Sequence, residues 1–214
     1  MISEEGIAAR LAEFLLQIKA IKLQPDKPFT WSSGWKSPIY TDNRITLSYP
    51  QIRTFIRQQL SAAAMQHFGK PAAVAGVATG GIAHGVLLAQ EWGVPFVYVR
   101  PDAKSHGTQS QIEGSLEGIS QVLVVEDLVS TGKSSLAAVK ALRESGVEVR
   151  HMVSIFDYGF PDATEALAKD KVQLVSLCDY SSLIRKALEL DYVREEDMQV
   201  LNSWRLAPEK WTGS

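Results

Sequence analysis

The sequence predicts an α/β domain: a central parallel sheet flanked by helices, with a small hood built from the N-terminal and C-terminal segments. Three observations predict it. Between residues 50 and 177, short apolar runs alternate with stretches of helical periodicity, the pattern of βα units feeding a parallel sheet. Within that stretch, Val122-Leu123-Val124-Val125 reads as a strand buried on both faces and ends in the acids Glu126 and Asp127. The segments before residue 50 and after 178 fall outside the alternation, and they are expected to pack together over the sheet's carboxyl edge.

Each element has its own signal. Ile7, Leu11, Leu15 and Ile18 recur at helical spacing behind Ser3, Glu4 and Glu5, so a helix is expected over about 3–20. Residues 23–49 are rich in proline and aromatics. Pro50 opens a helix over 50–69. Residues 72–77 read as a strand, 81–92 as a helix, and 94–99 as a strand entered through a Gly-Val-Pro turn. Residues 101–120 have no apolar period and are rich in Gly, Ser and Gln; so long a loop in a compact chain is often functional, and a mobile lid is expected there. The strand at 122–125 is followed by a helix at 134–144 that stops at Gly146. A strand at 147–155, a helix at 162–169 and a strand at 172–177 complete the core of about 50–177, and helices at 180–190 and 194–205 close the chain.

Composition narrows the class. Of the 214 residues, 45% are apolar, which argues for a real core, and the net charge of −2 gives no global basic field to recruit nucleic acid. The single cysteine, Cys178, excludes an internal disulfide and a cysteine-built zinc site, and it falls in an apolar strand as a packing residue. No membrane-length apolar run occurs, and the N-terminus is acidic where a signal peptide is basic, so a cytoplasmic protein without membrane partners is expected.

The chemistry concentrates at strand ends. Leu128-Val129-Ser130-Thr131-Gly132-Lys133-Ser134 follows the acid pair as a loop of small, hydroxyl-bearing residues opening a helix, which suits a phosphate. Gly132-Lys133-Ser134 ends like a nucleotide-binding P-loop, but Asp127 stands where that loop requires its first glycine, so an ATPase is rejected. The acids repel phosphate and suit hydroxyls, a metal or a developing cation, and a sugar phosphate satisfies both halves. A second loop, Ala78-Thr79-Gly80-Gly81, follows the strand at 72–77 and lets backbone amides approach an anion closely. His84 is expected as a helix residue rather than a base, and His67 and His151 as surface or packing residues. Arg100, Lys104 and His106 bring three cationic groups to the lid.

The run from Glu126 to Ser134 resembles the phosphoribosyl-pyrophosphate (PRPP) signature of type I phosphoribosyltransferases. Arg100, Lys104, His106 and Gly107, closed by Ile112-Glu113-Gly114, are similar to the catalytic loop of the orotate phosphoribosyltransferase family. Phe29 to Arg44, with Ser33-Gly34, Ser37-Pro38 and Tyr40, resembles that family's orotate segment. The resemblance spans about residues 25–160.

It implies a type I phosphoribosyltransferase fold, Mg²⁺ as cofactor, and a homodimer in which each lid serves the partner's site. It implies transfer of the phosphoribosyl group from PRPP to orotate. Lys104, His106 and Asp127 are then catalytic. Glu126 and Asp127 hold the ribose hydroxyls. Leu128, Val129, Ser130, Thr131, Gly132, Lys133 and Ser134 form the 5′-phosphate loop. Thr79, Gly80, Arg100, Lys104 and His106 serve the pyrophosphate. Mg²⁺ is held mainly by PRPP, with Asp127 the one protein ligand considered. Tyr40, Lys36, Arg44, Ser130 and Tyr158 form the orotate set. Tyr40 fits two roles, against the orotate ring or in the core of the hood, while Trp31 and Trp35 are expected to pack.

The chain departs from the family's pattern where a basic residue is frequent: Ser32, Gly80, Pro101 and Tyr158 stand there, and Arg44 or Lys36 is the expected replacement. Two readings compete with the orotate enzyme, a purine-base transferase and a PRPP-sensing regulator.

Overall fold

The computed structural model describes residues 1–31, 33–101 and 111–213. In chain order it forms α1 (Glu5–Gln17), β1 (Ile21–Leu23), β2 (Phe29–Thr30), β3 (Lys36–Ser37), β4 (Ile39–Thr41), a 3-10 turn (Asn43–Ser48), α2 (Pro50–His67), β5 (Ala73–Val77), α3 (Gly80–Trp92) and β6 (Phe96–Val99). There follow β7 (Ile112–Glu113), β8 (Gln121–Val129), α4 (Lys133–Glu144), β9 (Glu148–Asp157), α5 (Pro161–Lys169), β10 (Gln173–Asp179), α6 (Tyr180–Glu189), a 3-10 turn (Glu195–Asp197) and α7 (Met198–Leu206).

Six strands form the central sheet in the order β10-β9-β8-β5-β6-β7. All neighbouring pairs are parallel except β6 with β7. From β5 the chain steps outward through α3 to β6; from β8 it steps the other way through α4 to β9 and β10. The order therefore reverses between β5 and β8, and ligands bind outside the carboxyl ends of strands at such a switch point. The loops that follow β5 and β8 are the two phosphate-loop candidates.

Both sheet faces are covered. Leu123 and Val125 join the cluster containing Leu11, Ile56, Leu60 and Leu88 from α1, α2 and α3. Val122 and Val124 join the cluster with Ala138, Val139 and Leu142 of α4 and Leu167 of α5. Two-sided burial is why Val122 to Val125 of β8 is apolar at every position rather than alternating.

Strand β8 runs further than expected. The apolar signal stops at Val125, but parallel pairing to β9 continues to Val129 against Asp157, because backbone hydrogen bonds propagate the strand without regard to side-chain polarity. The acids lie inside the strand, not after it. The region expected to form a lid carries structure at its base: Ile112–Glu113 pair antiparallel to Tyr98–Val99, and Arg100 N–H donates to Gln111 O at 2.8 Å.

The chain ends meet beside the sheet. β1 pairs antiparallel with β4 and β2 with β3. Trp204 of α7 donates its indole N–H to Lys36 O at 3.2 Å, and its ring lies 5.7 Å from that of Trp31, edge to face. Helix α1 packs on α6 and β10. Residues 1–3 run along β10, with Ser176 N–H donating to Met1 O and Ser3 N–H to Ser176 O.

Candidate active site

The period of two along β8 sends the acids to opposite faces. Glu126 points to the α4 face, where it is 4% exposed and accepts a hydrogen bond from Ser135 Oγ at 2.7 Å. Burial pushes its carboxyl up from the usual 4.5 to about 8, with Ser135 opposing the shift. Asp127 points to the α3 face. Its carboxyl is raised by burial, against its own and Leu128's backbone hydrogen bonds and the nearby Arg44 charge. The acids are therefore not a side-by-side pair. Glu126 is tied to the base of α4, and Asp127 faces the loop after β5.

Gly80 explains how Asp127 fits. A Cβ built on Gly80 would lie 2.1 Å from Asp127 Cγ and 2.2 Å from each carboxylate oxygen. The carboxylate fills the space that a side chain at 80 would need. At Gly81 the constraint is backbone: a Cβ there would lie 2.3 Å from Val125 O. Two glycines thus let the start of α3 settle against β8. Thr79, exposed, precedes them, and the Ala78–Thr79 peptide is cis.

The loop after β8 turns at Gly132, which adopts φ +74° at the N-cap of α4. No side chain caps this helix, so its first amides remain available to an anion. Ser130 and Thr131 are half-buried, while Lys133 and Ser134 are exposed. Asn43, fully buried, donates from Nδ2 to Asp127 O at 2.6 Å and fixes the strand end. Thr46 continues this strut, donating to Asn43 O at 2.6 Å and lying 3.4 Å from His84 Nε2. His84 sits on α3, buried and held down to about 4 by desolvation, which keeps it neutral. Sequence reasoning missed Asn43; its only signal was a polar residue beside Asp42 in the orotate-like segment.

A cavity of about 520 Å³ opens beside this loop, lined by Thr30, Trp31, Ser33, Trp35, Tyr40, Thr41, Leu128, Ser130, Thr131, Lys133 and Tyr158. That volume suits a small planar ligand. Tyr40 is 40% exposed and tilted against Phe29, so it stands at the cavity wall rather than in a core. Trp31 and Trp35, expected only to pack, also wall the cavity, with rings stacked at 6.4 Å. Trp31 is held by its indole N–H to Ile39 O at 3.1 Å.

Three members of the expected orotate set have partners within the protein, although Tyr158 also lines the cavity. Tyr158 is 1% exposed, parallel to Phe160 at 5.3 Å, and its hydroxyl lies 2.9 Å from Thr41 Oγ1. Arg44 grips Asp42 with two bonds, at 2.7 and 3.0 Å. Lys36 donates to Thr30 Oγ1 at 2.8 Å and does not line the cavity. Arg100 lies 3.5 Å from Glu113 across the base of the lid. Lys104 and His106 lie outside the described residues, as does Ser32.

Comparison with known proteins agrees with this fold. The family model described as the phosphoribosyl transferase domain matches residues 48–180. An orotate phosphoribosyltransferase of Phocaeicola vulgatus is 54% identical over 200 residues, covering 94% of each chain. The crystal structure of orotate phosphoribosyltransferase from Aeropyrum pernix superposes with a TM-score of 0.73 at 32% identity, covering 86% of this chain and 99% of that one. The Mycobacterium tuberculosis enzyme, solved in complex with PRPP, superposes with a TM-score of 0.63 at 25% identity, over 83% of this chain and 98% of that one. Identity at this level over nearly the whole length places the chain in the orotate phosphoribosyltransferase family.

Proposed function

We propose that the protein transfers the 5-phosphoribosyl group from PRPP to orotate, releasing pyrophosphate and orotidine 5′-monophosphate, in de novo pyrimidine biosynthesis. The observation that carries this reading is the meeting, at one topological switch point, of two anion-ready loops and an aromatic cavity.

The reaction is a displacement at ribose C1. A bond forms from the orotate ring nitrogen, the C1–O bond breaks, and the electron pair leaves with pyrophosphate. Amides of Thr131 to Ser134, at the uncapped start of α4, suit the 5′-phosphate. Asp127, facing the loop of Thr79 and Gly80, is positioned to meet ribose hydroxyls and to offset positive charge developing at C1. Glu126 reaches the ribose only by exchanging its bond to Ser135. Lys104 and His106, with Arg100 at the lid's base, would meet the departing pyrophosphate and lower the barrier in the transition state. A lid that closes over substrate also keeps water from the reactive sugar.

Mg²⁺ fits as an ion carried by the substrate. Among the described residues no group of three or more His, Cys, Asp or Glu side chains could hold a metal, and a hard ion that binds phosphate oxygens and water needs few protein ligands. When bound, it would neutralise pyrophosphate charge, with Asp127 the one protein acid proposed to help hold it. The resemblance further supports a cytoplasmic homodimer with lids exchanged between subunits. Among the described residues no helix is long and apolar enough to cross a membrane.

The test is ultraviolet loss of orotate on mixing protein, orotate, PRPP and Mg²⁺, with a control lacking the metal. Metal-dependent loss with equal release of pyrophosphate supports the reading. No loss, with PRPP still bound by calorimetry, overturns it in favour of a purine-base transferase or a PRPP-binding regulator.

A further inference from the structure

We propose that the Lys133 side chain recognises the carboxylate of the base. One loop would then serve two anions: its backbone amides the 5′-phosphate, its ammonium the orotate carboxylate. The assignment rests on the orotate reading above and names the specificity residue of that site.

The cavity poses the problem. Orotate is an anion, and a carboxylate buried against aromatic walls is costly without a counter-charge. Trp31, Trp35, Tyr40 and Leu128 supply flat or apolar surface, and Thr30, Thr41, Ser130 and Thr131 supply hydroxyls. Among the described lining residues, Lys133 is the one cation. The neighbouring cations have other partners. Arg44 is held by both oxygens of Asp42, and Lys36 is bonded to Thr30. Tyr158 is buried, with its hydroxyl against Thr41.

The place of Lys133 in its helix is the second argument. It is the first residue of α4, where the helix dipole disfavours a cation. The first turn holds no acid to relieve it, and Lys133 has no ion pair among the described residues. A residue set against its own element's preference, beside a cavity, marks a functional position. A flexible four-carbon stem carrying a point charge can swing from an exposed helix start to a ligand edge without bidentate geometry.

The competing role for this ammonium is the 5′-phosphate, and steady-state kinetics separate the two. Lys133 is exposed, so Lys133→Gln and Lys133→Arg are expected to melt with the wild type. Lys133→Gln should raise the orotate KM about 10- to 100-fold, the loss expected for a bond to a charged group, while the PRPP KM stays within about threefold. Lys133→Arg should recover most of that loss. The preference for orotate over uracil, the same ring without the carboxylate, should fall in Lys133→Gln by the same factor; a merely structural role would not move it. A raised PRPP KM with an unchanged orotate KM overturns the assignment, as does an unchanged preference over uracil. A wild-type protein that leaves orotate untouched overturns the underlying reading and the assignment with it, a result distinct from either variant outcome.

Discussion

Glu126 and Asp127 are adjacent in sequence, yet one β pleat gives them different surroundings and separate roles. Both were legible as a functional pair from their place between an apolar run and a loop of small residues; their separation was not, because the apolar run gave no sign that the strand continues through them. Burial of Glu126 has a measurable consequence. Its carboxyl is raised to about 8 in the folded protein and stands near 4.5 when unfolded. Below the lower value both states are protonated, and the favourable contribution is complete. As pH rises through the window, the unfolded chain ionises while the folded chain keeps its proton. Stability therefore falls, at about 1.4 kcal/mol per pH unit, and levels off above about 8. Glu126→Gln keeps the shape and removes the proton. Its melting temperature should fall less between pH 5 and 8 than that of the wild type. Asp157, also raised by burial, contributes equally to both proteins, whereas Asp127, whose charge helps to raise Glu126, belongs to the contribution that the substitution alters. Parallel melting curves for the two would show that Glu126 ionises normally in the folded state.

The long elements were readable because their patterns repeat: the helices at 50–69 and 134–144 and the strands at 72–77 and 147–155 all occur within a few residues of their expected limits. The short strands β1 to β4 and β7 were not readable. At two or three residues each they show no period, and they exist only because a partner lies opposite. The start of α3 is the opposite case, where the sequence showed glycines and the structure shows why they are needed. Gly81 stands where any Cβ would press on Val125 O at 2.3 Å, and backbone cannot rotate out of the way as a side chain can. Gly81→Ala should therefore push α3 away from β8, at a cost of about 1–3 kcal/mol by analogy with overpacked cores. It should also disturb the loop of Thr79 and Gly80. Chemical denaturation measures the first effect and the PRPP KM the second. A variant with wild-type stability and PRPP affinity would show that this contact relaxes freely.

At the scale of the whole molecule, strand order could not be read from the sequence, since alternation fixes parallel pairing but not sequence of neighbours. The order found puts β8 and the base of the lid on opposite sides of β5, with β7 three strand spacings from β8, about 14 Å at the usual separation. From Arg100 or Gln111, five extended residues reach at most about 17 Å, so chain length alone allows a lid to serve its own site or a neighbour's. Mixing decides between them. Lys104→Ala removes a lid cation and Asp127→Asn the proposed ribose acid, and each alone should lower kcat by about 10²–10³. If lids are exchanged in a symmetric dimer, a hybrid has one site built wholly from intact parts and one site with both defects. Random pairing makes half the dimers hybrid, so an equimolar mixture refolded together should regain about a quarter of wild-type activity. If each lid serves its own chain, every site in the mixture carries one defect, and no activity above the two parents returns. Co-refolding followed by the orotate assay reads this directly, and a mixture no more active than its components would overturn lid exchange while leaving the site assignments standing.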